Sequence, residues 1–181
     1  ITTATGGSRI GRGYFSVDSF TNGGFDSLDL GGAVEFSGPV TVNARGFVHL
    51  ADSGVLFAND TVTINSSAAS IGTDFVPPVR PEDRLSQLPF TNVAPTTGSG
   101  KLTINAKNLE VGTTTLQNIG EATLAADNGD LVGNGIFNIA GKLTLRAGQI
   151  HPTTANDFLV VAYDYLSGGI TQQGSITIQS S

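Results

Sequence analysis

Leu102-Thr103-Ile104-Asn105-Ala106 decides the fold, because its pattern of apolar, Thr, apolar, variable, Ala or Ser recurs along the chain. Val40-Thr41-Val42-Asn43-Ala44 and Val62-Thr63-Ile64-Asn65-Ser66 precede it. Ala122-Thr123-Leu124-Ala125-Ala126, Leu143-Thr144-Leu145-Arg146-Ala147 and Ile176-Thr177-Ile178-Gln179-Ser180 follow. Successive starts differ by 22, 40, 20, 21 and 33 residues. The apolar period is two, so each copy is a strand: its first, third and fifth residues point one way, its Thr and variable residue the other. Shorter apolar pieces lie between the copies, at Phe25–Leu30, Phe47–Leu50, Val55–Phe57, Asn108–Val111, Ile136–Ile139 and Phe158–Tyr163. Gly, Asn and Asp turns separate them, as in Asn22-Gly23-Gly24, Ala51-Asp52-Ser53-Gly54 and Asp127-Asn128-Gly129-Asp130. No segment of ten residues shows a helical stripe with caps.

Several short strands in a repeat near 21 residues make one coil of an all-β, parallel β-helix. Coils stack about 4.8 Å apart, so like residues sit over like residues. Inward Val, Ile and Leu then fill the lumen, and the small fifth residue marks a corner. Outward Thr residues form a ladder suited to β-branched side chains. Asn43, Asn65 and Asn105 hold the same position in three coils and are expected to form an Asn ladder. An antiparallel sandwich also has many short strands, but has no reason to repeat one register six times. Residues 73–99 break the rhythm with five of the seven prolines (Pro77, Pro78, Pro81, Pro89, Pro95), so this stretch is expected as a loop extruded from the coil, with stacking resuming at Lys101. The expected domain is a single β-helix segment over 1–181, with some seven or eight coils and roughly 35–40 Å of length. Both ends should expose open coil edges, so flanking coils or copies of the chain joined end to end are the expected partners.

Composition narrows the function classes. The 181 residues fit one domain, and 13% charged residues with 39% hydrophobic ones exclude a solvated disordered tail. Nine Lys and Arg against fifteen Asp and Glu give a net charge of -6, which argues against nucleic acid and anionic membrane surfaces as partners. No apolar run approaches the ~18 residues of a membrane span, so no membrane insertion is expected. The absence of Cys excludes disulfides, thiolate metal sites and thiol nucleophiles. A chain that begins at Ile1 and contains no Met, with no signal peptide at its head, is expected to be a processed or excised piece.

The laid-out repeats resemble the filamentous haemagglutinin family, in the conserved region near the C-terminal part of large exoproteins of the two-partner secretion type. The segments that carry the likeness are Gly24-Phe25-Asp26-Ser27-Leu28, the run from Val34 to Val42, the run from Gly98 to Ala106, and above all the run from Gly133 to Ala155. Together they span most of the chain. The resemblance implies a right-handed β-helix, a location outside the cell or on the outer surface of a Gram-negative bacterium, and an adhesive or fibre-forming role toward a host or matrix glycan or protein. It implies no catalytic residues. The family's export signal and N-terminal secretion domain have no counterpart in these residues.

Candidate chemistry is sparse. Gly98-Ser99-Gly100-Lys101 looks like the end of a phosphate-binding loop, but Pro95 and Leu102 stand where that motif needs Gly and a hydroxyl residue. His49 and His151 have no metal-ligand spacing around them and read as surface or turn residues. No Gly-x-Ser-x-Gly elbow exists to single out a nucleophilic serine. Asp127-Asn128-Gly129-Asp130 reads as an Asx-type turn rather than a calcium loop. Tyr163 and Tyr165 offer an aromatic pair for sugars or a cover for the stack. The expectation is therefore a structural or adhesive solenoid segment that is not an enzyme, with no catalytic, cofactor or metal residues. Recognition, if any, falls to the extruded loop, through Arg80, Arg84 and Phe90. One alternative is a carbohydrate-binding module using the loop of residues 73–99. The other is a polysaccharide-degrading β-helix enzyme drawing on Asp26, Asp29 and Glu35, which would need two carboxyls about 5–9.5 Å apart.

Overall fold

Alternating burial on a short strand creates a side that must be covered and two edges that must be bonded, and stacked coils supply both. The computed structural model of the chain describes residues 13–73 and 93–181, wound as a parallel β-solenoid of about five turns. The first face is built by β1 (Leu28–Leu30), β4 (Phe47–Leu50), β7 (Ala68–Ile71), β9 (Asn108–Val111) and the second halves of β11 (Ile119–Gly133) and β13 (Lys142–Pro152). On the second face lie β2 (Val34–Phe36), β5 (Val55–Ala58), β10 (Thr114–Gln117), β12 (Gly135–Ala140) and β14 (Phe158–Tyr163). The third face holds the Thr-centred copies: β3 (Val40–Asn43), β6 (Thr61–Asn65), β8 (Gly100–Ala106), the first halves of β11 and β13, and β17 (Ser175–Ser180). All pairings between coils are parallel among the described strands, and β11 and β13 simply run around the corner from the third face to the first.

The Thr copies stack in register. Thr41, Thr63, Thr103, Thr123, Thr144 and Thr177 are successive partners on six rungs. Beside them Val42, Ile64, Ile104, Leu124 and Leu145 form an inward column that is 0–2% exposed. The Asn ladder is present: Asn65 donates from Nδ2 to Asn43 Oδ1, and Asn105 from Nδ2 to Asn65 Oδ1, each at 2.8 Å. At the corner that follows, Ala44, Ala106, Ala126 and Ala147 are buried where the tube narrows.

Three features depart from the simple rod. The expected seven or eight coils are about five turns, because several stretches of chain add no rung to the stack. One of them is a seven-residue helix, α1 (Val17–Gly23), capped by Ser16, whose side chain accepts from the Asp18 amide at 3.2 Å. It packs on β3 and drives Phe20 into the core at 2% exposure, so the first coil is covered rather than open. Another is an antiparallel hairpin of β15 (Tyr165–Ser167) and β16 (Ile170–Gln172), turned by Gly168 and Gly169 at positive φ, which accounts for much of the 33-residue gap before the last Thr copy.

The remaining departure is a missing rung. On the second face β5 bonds directly to β10, with Leu56 opposite Leu116, while the other two faces interpose β7 and β8 at that level. One face is therefore shorter by one strand spacing of about 4.8 Å, and the stack tilts toward it. The chain returns between these two coils through Gly98-Ser99-Gly100. Ser99 Oγ donates to Asn59 O at 2.8 Å and the Gly100 amide to Asn118 O at 3.0 Å. A Cβ on Gly100 would collide with the carbonyl oxygens of Ala58 and Asn118, so the resemblance to a phosphate-binding loop reflects a close backbone passage. Stacking resumes at Gly100, one residue ahead of the expected Lys101. Of the expected loop, residues 74–92 lie outside the described residues.

Two substitutions test this account. Asn65→Ala removes both ladder bonds and should cost about 1–2 kcal/mol in urea denaturation, roughly twice the cost of Asn43→Ala, which removes one. Equal costs would show that the ladder does not act as a chain of bonds. Gly100→Ala should cost about 1–3 kcal/mol by forcing two coils apart, a loss visible as an earlier thermal midpoint.

Candidate functional site

The outward column of the first face gathers polar side chains that are far apart in the chain. Asp29 on β1 stands opposite His49 on β4, His49 opposite Ser70 on β7, and Ser70 opposite Glu110 on β9. Val132 and His151 continue the column on the next two rungs. Strand alternation explains the arrangement: Leu28 and Leu30 flank Asp29, Val48 and Leu50 flank His49, and all four apolar neighbours turn into the lumen. The middle residue of each strand has no direction left but outward.

Within this column His49 Nδ1 lies 3.0 Å from Asp29 Oδ1. The His49 side chain is 12% exposed whereas Asp29 is 73% exposed, so the imidazole is held against the sheet by a carboxylate on the solvent side. Nε2, on the far side of the ring from Asp29, is buried toward the body of the sheet. Phe47, two residues earlier on the same strand, stacks its ring beside the imidazole with centroids 6.3 Å apart and covers it. Ser70 is only 5% exposed. The column floors a groove of about 560 Å³ whose rim includes Thr73, Glu110, Asn134 and Thr153.

A second polar surface lies at the corner after the third face. Asn65, Asn105, Lys107, Asp127 and Asn128 line a shallow recess there. Arg146 donates from Nε to Asp127 Oδ1 at 2.6 Å and from Nη2 to Oδ2 at 2.8 Å. The paired hydrogen bonds, aided by the guanidinium charge, hold the Asp127 carboxyl below its ordinary range and raise Arg146. The Asp127-Asn128-Gly129-Asp130 segment is thus a coil corner, with Asn128 at φ 57° and its leading carboxylate tied to arginine. Among the described residues no three His, Asp or Glu side chains gather as metal ligands.

The other residues singled out from sequence are dispersed. Asp26 pairs with Arg45 across one coil. Glu35 lies on β2, a different face from Asp29. Asp29 and Glu110 share a column but stand three rungs apart, about 14 Å at the strand spacing, outside the window for paired carboxyl hydrolysis of glycosides. Tyr163 is exposed at the end of β14, and Tyr165 is half-buried at the start of the hairpin. Arg80, Arg84 and Phe90 lie outside the described residues. The sequence reading took His49 as isolated and found no partner serine. The signal that joins them is the coil spacing itself: Asp29, His49, Ser70 and Glu110 differ by 20, 21 and 40 residues, the same steps that separate copies of the Thr segment.

No family model, no curated protein and no solved structure matches the chain. No helix among the described residues is long and apolar enough to cross a membrane.

The Asp127–Arg146 pair gives a pH prediction with a definite sign. A carboxyl whose folded value is lowered stabilises the fold at every pH above its ordinary range, and that contribution disappears only as pH falls through the lowered value. Carbon-detected titration should place the Asp127 midpoint below the ordinary 3.8. In Arg146→Gln the midpoint should move back up to the ordinary range.

Proposed function

We propose that this chain is a structural, adhesive segment of a secreted or cell-surface β-solenoid, a stiff rod that carries its side faces as recognition surfaces and is continued by a further coil on β17. The observation that supports this reading is the state of the last rung. Val40, Val62, Leu102, Ala122 and Leu143 are 0–9% exposed, and their next partner in the column, Ile176, is 42% exposed. Ile178 ends the neighbouring column at 69%. Two core columns thus run through five rungs and reach β17 with their apolar side chains uncovered.

The edge of β17 also lacks the usual protection. Ser175-Ile176-Thr177-Ile178-Gln179-Ser180 contains no charge and no proline, the residues that keep edge strands from pairing. At the opposite end α1 covers the first coil, so growth of the rod is favoured at β17. The occupant that fits is a further coil in the same parallel register, because it extends the Thr column and both aliphatic columns at once. The sequence resemblance to filamentous exoproteins supports the surface location and the adhesive role.

Residues 127–147 form a complete coil that follows a third-face strand and ends on one, so a copy of them fused after Ser181 is a ready-made next turn. The fusion should raise the thermal midpoint by several degrees and slow amide exchange in β17, whereas the same residues in shuffled order should do neither. Equal behaviour of the two fusions would remove the support that β17 gives to a continued rod.

A further inference from the structure

The groove on the first face carries a device that a rod does not need. We propose that Ser70, His49 and Asp29 form a nucleophilic relay that hydrolyses small O-acyl esters of neutral or cationic alcohols. The argument rests on three consecutive rungs. The ladder register places an acid, an imidazole and a hydroxyl side by side on one outward column, one strand spacing (about 4.8 Å) apart. The acid contacts the imidazole through Nδ1 at 3.0 Å, which fixes the ring and leaves Nε2 on the side of the Ser70 rung. A nucleophile, a base and a group that orients the base are the three parts that activate a serine.

The surroundings suit acyl chemistry. Phe47 stacks on His49 and Ser70 is nearly buried, so the reacting pair is shielded from bulk water on one side and open to the groove on the other. Asn134, Thr73 and Thr153 line the same groove and bring amide N–H and hydroxyl donors for an oxyanion. Asp29 and Glu110 bracket the pair along the column and disfavour anionic substrates, which sets the charge class. A groove of about 560 Å³ open along the rungs suits an acyl group carried on a larger molecule lying across the face.

The reaction needs only water as co-reactant. Ser70 Oγ attacks the acyl carbon while its proton passes to His49 Nε2, and the carbonyl electron pair moves onto the oxygen. Collapse of this tetrahedral centre breaks the ester C–O bond, and the departing alcohol oxygen takes the proton from His49. Water then attacks the acyl-Ser70 carbon, gives its proton to His49, and the carboxylic acid leaves as Ser70 Oγ is reprotonated. His49 and Ser70 are the catalytic residues; Asp29 is a positioning residue. This inference stands apart from what covers β17, because it concerns the side of the rod and not its end.

The test uses the full 181-residue chain with a fluorophosphonate probe and with p-nitrophenyl acetate. The expected result is a single phosphonyl adduct that tandem mass spectrometry places on Ser70, together with ester hydrolysis above the buffer rate. Ser70→Ala and His49→Gln should abolish the adduct and return hydrolysis to the buffer rate, with an unchanged β-sheet circular dichroism spectrum. Asp29→Asn should lower kcat about a hundredfold or more with KM unchanged, and Asp29→Glu should recover part of the loss. Absence of any adduct on the wild-type chain, an adduct on a different serine, or hydrolysis that survives Ser70→Ala would overturn the proposal. Should Ser70→Ala unfold the coil, the wild-type adduct and the variants at the exposed Asp29 still decide it.

Discussion

In a parallel coil every residue stands over its counterpart one turn away, and that vertical neighbour governs what each position can hold. Apolar residues satisfy it by forming continuous columns, as Val42, Ile64, Ile104, Leu124 and Leu145 do through the lumen. Asparagine satisfies it because its amide is both donor and acceptor and can bond upward and downward at once. Charge satisfies it only when the sign alternates. Lys101, Glu121 and Lys142 are successive partners, with Lys101 Nζ 3.2 Å from Glu121 Oε2, and Arg45 and Arg146 each reach an aspartate one coil away. Like charges stacked at the strand spacing would repel, which is the physical reason for so low a charged fraction in the chain.

Vertical neighbours also explain where the structure is irregular. A coil can lose a strand on one face only if the rungs above and below close the gap, which β5 and β10 do by bonding directly. The chain must then re-enter between two coils already in contact, and glycines at 98 and 100 make that passage sterically open. The first coil has no neighbour above it, and α1 with Phe20 takes that place. The last rung keeps its vertical face uncovered, leaving Ile176 and Ile178 exposed. Sides and ends thus have different chemistry: the ends bear on extending or closing the rod, the sides on what it recognises or transforms.

Much of this was legible in the chain because period-two alternation and a recurring Thr are local signals. The Thr column, the Asn ladder, the small corner residue and the second-face strand at Phe158–Tyr163 all follow from them. The helix Val17–Gly23 escaped a search for longer stripes because a two-turn helix held by one buried Phe carries no extended periodicity. The coil count came out too high because chain length was converted to rungs, while the helix, the stretch around the missing rung and the hairpin consume residues without adding any. The polar column of the first face escaped for a different reason. Its members, Asp29, His49, Ser70 and Glu110, are all different residue types, so no repeat of identity marks it, although their spacing matches that of the threonines.

Which side chains face inward, where strands begin and end, and that they stack in parallel register were written in the order of residues, since each depends on neighbours two places away or on a repeat of one coil. Which outward side chains share a groove, which end of the stack is covered and where a rung is skipped were settled by folding. These depend on pairings between strands 20 to 60 residues apart, such as Asp29 with His49 and β5 with β10. Such pairings leave no local trace, because a strand edge offers the same backbone groups to any partner, and the choice among partners is made by how all the columns close together.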